Sequence, residues 1–149
     1  MFRTDLGYVQ GMSYVAATLI LHLGDEYSAF SAFANVMHKY LLFTFYSFDM
    51  PKVNVFFHIY MRLMKIHIPK LYQMFTDVGF QCSVFLFEWT VAVFSNIVPL
   101  QISARIWDSW LFFDEYFFMK LILAVSSALK DQLVDGAFEK IITLFKSMS

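Results

Sequence analysis

A single cysteine, Cys82, excludes an intrachain disulfide and is compatible with a reducing compartment. Its neighbours Val84, Phe85, Leu86 and Phe87 predict a buried thiol, and no basic residue beside it lowers its pKa toward reactivity. Glycine and proline are scarce as well, at 5 and 3. So few turn formers, with no alternation of polar and apolar residues between turn clusters, argue against a strand-rich fold. Charge is the third shortage: 15% of residues are Asp, Glu, Lys or Arg, against about 25% in an average globular domain. A formal net charge of -1 gives no basic field for nucleic acid and no polybasic cluster for an anionic membrane.

What fills the space is apolar. Hydrophobic residues make up 59% of the 149, and aromatics 20%, with 19 Phe. A chain of this length buries roughly 70% of its unfolded surface, enough for one domain with a substantial core. Residues 78–104 carry one charge, Glu88, and residues 6–24 carry none, so both reach the roughly 20 residues of a membrane span. A multi-spanning membrane protein is therefore an alternative to weigh. Against it, Asn96 and Pro99 interrupt the first stretch, and Gln10, Gly11, Ser13, Thr18 and His22 dilute the second. Tyr and Trp are scattered along the chain and do not gather into two belts. Residues 1–6 lack the apolar stretch and cleavage site of a signal peptide.

The patterning predicts an all-α fold of about eight helices, over 12–23, 28–45, 53–67, 71–78, 83–97, 100–112, 117–129 and 136–146. Tyr14, Ala17, Thr18 and Leu21 share helical spacing in the first. Asp25 or Ser28 is placed to cap the second through a side-chain oxygen. Pro51 ends the second helix in this reading, because a proline pushes its predecessor out of the helical region. Pro69 and Pro99 fall in the first turns of the helices that follow them.

Ordinary catalytic arrangements do not stand out. His22, His38, His58 and His67 share no metal-ligand spacing with carboxylates or Cys82, Ser13 lacks the glycine frame of a nucleophile elbow, and no glycine-rich phosphate loop occurs. Two stretches are more informative. In Gly7-Tyr8-Val9-Gln10-Gly11-Met12, two glycines bracket a carboxamide where loop becomes helix, a kind of junction that can hold a side chain rigidly while leaving it open to a ligand. In Arg105-Ile106-Trp107-Asp108, Arg105 and Asp108 are three apart on one helical face, either as a surface ion pair or as part of a groove.

Together these stretches resemble the TBC domain, the family of GTPase-activating proteins for Rab small GTPases. The tyrosine-x-glutamine-glycine block at Tyr8 to Gly11 and the isoleucine-tryptophan-aspartate block at Ile106 to Asp108 are similar to two of its three signature blocks, with Trp89, Phe94 and Pro99 between them in the expected order. The resemblance implies a domain over 1–149 that is the core and C-terminal part of a TBC fold, lacking the N-terminal helices. It implies a two-finger mechanism in which Gln10 is the glutamine finger that positions the hydrolytic water, with Tyr8, Gly11, Arg105, Trp107 and Asp108 in support. The arginine finger of the family sits in an isoleucine-x-x-aspartate-x-x-arginine block that these residues do not contain, and Arg3 is too near Gln10 to replace it. Where a glycine is usual after the aspartate, Phe113-Asp114-Glu115-Tyr116 occupies the turn, and Lys120 stands near where an arginine is common. The implied role is that of an enzyme activator with no cofactor of its own, since GTP and magnesium belong to the partner. That partner is a Rab GTPase and neither nucleic acid nor a membrane span is expected. The setting is vesicle trafficking, in the cytoplasm or peripherally on endomembranes through the Rab. The alternative within the same fold is a catalytically inactive Rab-binding scaffold.

Overall fold

The computed structural model describes residues 5–132 and 138–146. Among these the chain is all-helical, with α1 Met12–Leu23, α2 Glu26–Val36, α3 Tyr40–Tyr46, α4 Met50–His67, α5 Pro69–Asp77, α6 Ser83–Val91, α7 Leu100–Leu129 and α8 Phe138–Lys146; a 3-10 turn, Lys130–Gln132, follows α7. The expected start of the last helix at Gly136 lies outside the described residues. No helix among those described is long and apolar enough to cross a membrane, so the multi-spanning alternative has no segment to carry it there.

The punctuation is local. Asp25 caps α2 by accepting the Ser28 N–H at 2.8 Å, which holds its carboxyl below the usual carboxylate range. Pro51 and Pro69 occupy first turns, where their missing N–H costs no helical bond. Pro51 thus belongs inside the start of α4, which begins before the expected position 53 because Asp49 caps it.

Three elements depart from expectation. The predicted helix over 28–45 is two, since Lys39 leaves helical geometry (ψ 132°) and sends its ammonium to Asp114 and over the Trp110 ring. The helix predicted to Ile97 stops at Val91, because Val93 and Phe94 both take positive φ, 49° and 61°, while the Phe94 N–H returns to the Trp89 carbonyl at 3.0 Å. Neither residue type favours that region. Burial decides: both are fully enclosed, and Phe94 packs on Trp89 and Phe118 with ring centroids 4.9 and 5.6 Å away. The third departure is in phase: α1 buries Met12, Val15, Thr18 and Leu19, while Tyr14, Ala17 and Leu21 face out. An almost wholly apolar stretch leaves its inward face undetermined by periodicity.

The core is aromatic. Trp89, Trp110, Phe45, Phe75, Phe85, Phe94, Phe118 and Phe145 are each less than 2% exposed, and such rings contribute roughly 1.5–3 kcal/mol apiece on burial. Trp110 Nε1 is buried without a hydrogen-bond partner among the described residues, but two other polar tips are satisfied across elements. Trp89 Nε1 donates to the Phe145 carbonyl at 3.1 Å, joining α6 to α8, and the Tyr60 hydroxyl bonds Ser126 Oγ at 2.8 Å, joining α4 to α7. The helix α6 therefore sits at the centre and offers its C-terminal end as a platform for α1.

Candidate functional site

The site is built on the turn that starts α1. Val9 and Met12 are buried, and their backbones close on each other, with the Met12 N–H donating to the Val9 carbonyl at 3.1 Å. Of the two residues between them Gly11 is buried as well, and Gln10 projects outward and is exposed. Gly11 makes the turn feasible. It caps α1 at φ 115°, and its carbonyl accepts from the Tyr14 and Val15 N–H groups at 3.1 and 3.2 Å. A Cβ there would lie 2.7 Å from Val91 Cγ2 and 3.2 Å from the Val91 carbonyl carbon. Glycine is required twice, for the conformation and for the contact. Gly7 has open space where a Cβ would go, so the second bracket glycine is not needed for clearance.

Behind Gly11, Val91 is itself fixed. The Tyr46 hydroxyl donates to the Val91 carbonyl at 2.8 Å from a site 1% exposed. Burial pushes this phenol well above its ordinary pKa, so it remains a donor through the whole physiological range. Tyr8 lies on the outer side of the turn, 73% exposed, with its hydroxyl donating to Ser13 Oγ at 3.3 Å. That bond spans Gln10 from one side to the other.

Gln10 stands at the lip of an open cavity of about 380 Å³, lined by Val9, Phe48, Phe87, Glu88 and Val91. Phe48, at φ 52°, stacks on Phe87 with ring centroids 5.8 Å apart and forms one wall. Glu88 is the one ionisable group among the described residues that line the groove. Its Oε1 accepts from Asn96 Nδ2 at 2.8 Å. The Gln10 carboxamide has no hydrogen-bond partner among the described residues. A carboxamide offers one acceptor and two donors and never ionises, and this one precedes a helix N-terminus, whose positive end favours anionic ligands.

The second motif is placed elsewhere. Trp107 is buried and its Nε1 donates to Ser95 Oγ at 2.9 Å, while Ser95 Oγ also bonds Ser103 Oγ at 3.2 Å. Trp107 thus pins the connection between α6 and α7. With Asp108 it lines a separate cavity of about 210 Å³ against Thr18, Leu19 and His22 on the far half of α1. Arg105 and Asp108 are exposed, and no ion pair joins them among the described residues, which corrects the expectation of a surface pair. His22, His38 and His58 each direct Nδ1 to the carbonyl four residues earlier at 2.7 Å. Cys82 is buried, and its enclosure pushes the thiol up to about 11.

Four residues of the site escaped the motif reading: Tyr46, Phe48, Phe87 and Val91. Glu88 had left a trace, as the lone charge in residues 78–104.

The described residues thus form an all-helical domain that presents an exposed carboxamide from a glycine turn beside an open groove. The Rab-GTPase-TBC domain family profile matches residues 1–134. The chain is 33% identical over 137 residues to TBC1 domain family member 14 of Homo sapiens and 32% identical over 137 residues to TBC1 domain family member 12 of Xenopus tropicalis, in each case 92% of this chain and 20% of the relative. It is also similar to Drainin of Dictyostelium discoideum, 24% identical over 147 residues, which cover 99% of this chain and 33% of that protein. The chain belongs to the Rab-GTPase-TBC domain family. It spans about a fifth of the length of the first two relatives.

Proposed function

We propose that this chain is the core and C-terminal part of a GTPase-activating domain for a Rab-family small GTPase, and that Gln10 is its glutamine finger. The observation that carries the reading is the state of Gln10: exposed, without a partner among the described residues, and held by a backbone that Gly11 locks against Val91. A side chain positioned this way loses little freedom when it enters another protein's nucleotide pocket, which is the condition for effective alignment of a reactant. There its oxygen accepts from the attacking water while its amide donates to backbone or phosphate oxygens, orienting the nucleophile for in-line attack on the γ-phosphoryl group. GTP and magnesium arrive with the GTPase. The charge-stabilising arginine is supplied from outside these 149 residues, and its contribution is about 10³–10⁵ in rate.

In this reading Gly11 and the Tyr8–Ser13 bond hold the finger's backbone. Trp107 steadies the platform through Ser95, and Arg105 and Asp108 lie on the exposed face of α7, available to a docked partner. The protein works in the cytoplasm or on endomembranes, reaching the latter through the Rab. The reading is tested by GTP hydrolysis across a panel of Rab GTPases, comparing the full-length protein with its Gln10→Ala form. Loss of one preorganised polar group in an active site lowers kcat by about a hundredfold or more, and equal rates would remove Gln10 from the chemistry.

A further inference from the structure

We infer that Glu88 selects the partner, by requiring a basic side chain on the GTPase surface that closes over the Gln10 groove. The inference rests on the docking proposed above. Within the groove, Glu88 is accompanied by Val9, Gln10, Phe48, Phe87 and Val91, none of which carries a positive charge. Its carboxylate is half-buried and already oriented, because Asn96 Nδ2 holds Oε1 at 2.8 Å. Asn96 keeps that bond although its own Oδ1 is buried without a partner among the described residues, so its amide is committed to fixing Glu88. The second carboxylate oxygen has no hydrogen-bond partner among the described residues.

An approaching surface that covers this groove strips water from the free oxygen while the stacked Phe48 and Phe87 exclude its return. A carboxylate desolvated without compensation is costly. An Arg or Lys on the partner removes the cost, and an apolar or acidic residue at the same point does not. Discrimination then follows from the penalty imposed on wrong partners as much as from attraction to the right one. Gln10 does the chemistry and Glu88, at the same lip, decides which surface may reach it.

The test measures binding of Rab GTPases, loaded with a non-hydrolysable GTP analogue, to the full-length protein and its Glu88→Gln, Glu88→Asp and Gln10→Ala forms at two salt concentrations. Glu88→Gln keeps an acceptor for Asn96, and an unchanged melting temperature confirms its fold. For the tightest-binding GTPase, Kd is expected to rise about tenfold in Glu88→Gln, the loss of roughly 1.4 kcal/mol. The salt dependence flattens, Glu88→Asp restores part of the affinity, and the ranking of the panel narrows. Gln10→Ala loses hydrolysis relative to the unaltered protein at GTPase concentrations that saturate both forms. Unchanged Kd, ranking and salt dependence in Glu88→Gln, with hydrolysis still lost in Gln10→Ala, overturns the role of Glu88 and leaves the glutamine finger standing. Hydrolysis retained in Gln10→Ala instead overturns the finger, whatever Glu88 does.

Discussion

The turn at Gly11 and the kink at Asp114 both need positive φ, 115° and 58°, yet they are held by different means. At Gly11 the residue type answers the geometry: a glycine sits where a Cβ would strike Val91, which is itself buried and held by the Tyr46 hydroxyl. At Asp114 an L residue adopts φ 58°, ψ −156° inside α7, a region that only glycine visits without strain. External ties compensate. Lys39 pairs with the Asp114 carboxylate, and the neighbouring Glu115 accepts the Leu41 N–H at 3.3 Å, so the start of α3 clamps the kink. Phe112, Phe113 and Tyr116 around it are exposed. The first turn is set by packing and carries the candidate site; the second is set by polar ties at the surface and bends the longest helix.

The contrast can be broken most forcefully at the first turn. Gly11→Ala combines a left-handed penalty of about 1–2 kcal/mol with overpacking of about 1–3 kcal/mol against Val91, so urea denaturation is expected to show a loss of about 3 kcal/mol. Gly7→Ala, with open space at its Cβ, is the matched control and should move stability little.

Alkali tests the same platform from the other end of α6. The Cys82 thiol is raised from 9.0 to about 11 by burial, so the folded chain holds its proton where the unfolded chain has lost it. The stability contributed is fully present below pH 9.0 and is lost as pH rises through about 11. Thermal melts across that window should show the decline, and Cys82→Ala should remove the part that sets in from pH 9.0, leaving the part that the buried Tyr46 and Tyr60 phenols contribute above pH 10.0.

Tyr46→Phe is expected to cost about 1–2 kcal/mol, since the buried Val91 carbonyl loses its donor from this hydroxyl. The same variant loosens the platform under Gln10, so a fall in GTPase activation larger than the fall in folded fraction would sharpen the link between the two. The smallest change belongs to the second turn. Asp114→Gly removes strain of about 1–3 kcal/mol at the cost of glycine entropy and an exposed ion pair, each within about 1 kcal/mol. The expected outcome is a net gain of up to about 1 kcal/mol, whereas Asp114→Ala gains nothing.

The all-α class and several helix starts were legible because capping and proline positions act locally: Asp25 and Pro69 do their work within one turn, whereas Pro51, read as the end of the second helix, opens α4. The break between the helices expected over 100–112 and 117–129 falls at Asp114, within the turn that the resemblance placed at Phe113-Asp114-Glu115-Tyr116. What could not be read was the reversal at Val93 and Phe94. Two buried residues of the least suitable types adopt positive φ there because Trp89 and Phe118 leave Phe94 one place to go, and no window of sequence contains those contacts. The inward phase of α1 was hidden by its uniform apolarity. The Gln10 motif was visible as residue types, but the support from Tyr46 crosses 45 positions, and the groove is assembled from three separate stretches of chain.

The central claim is tested most directly by a structure of the full-length protein bound to a Rab GTPase holding GDP and aluminium fluoride, the mimic of the transferring phosphoryl group. The Gln10 carboxamide is expected within hydrogen-bond reach, about 3 Å, of the water in line with the phosphoryl mimic. A complex in which that water is held by the GTPase's own glutamine, with Gln10 outside the nucleotide pocket, would contradict the account.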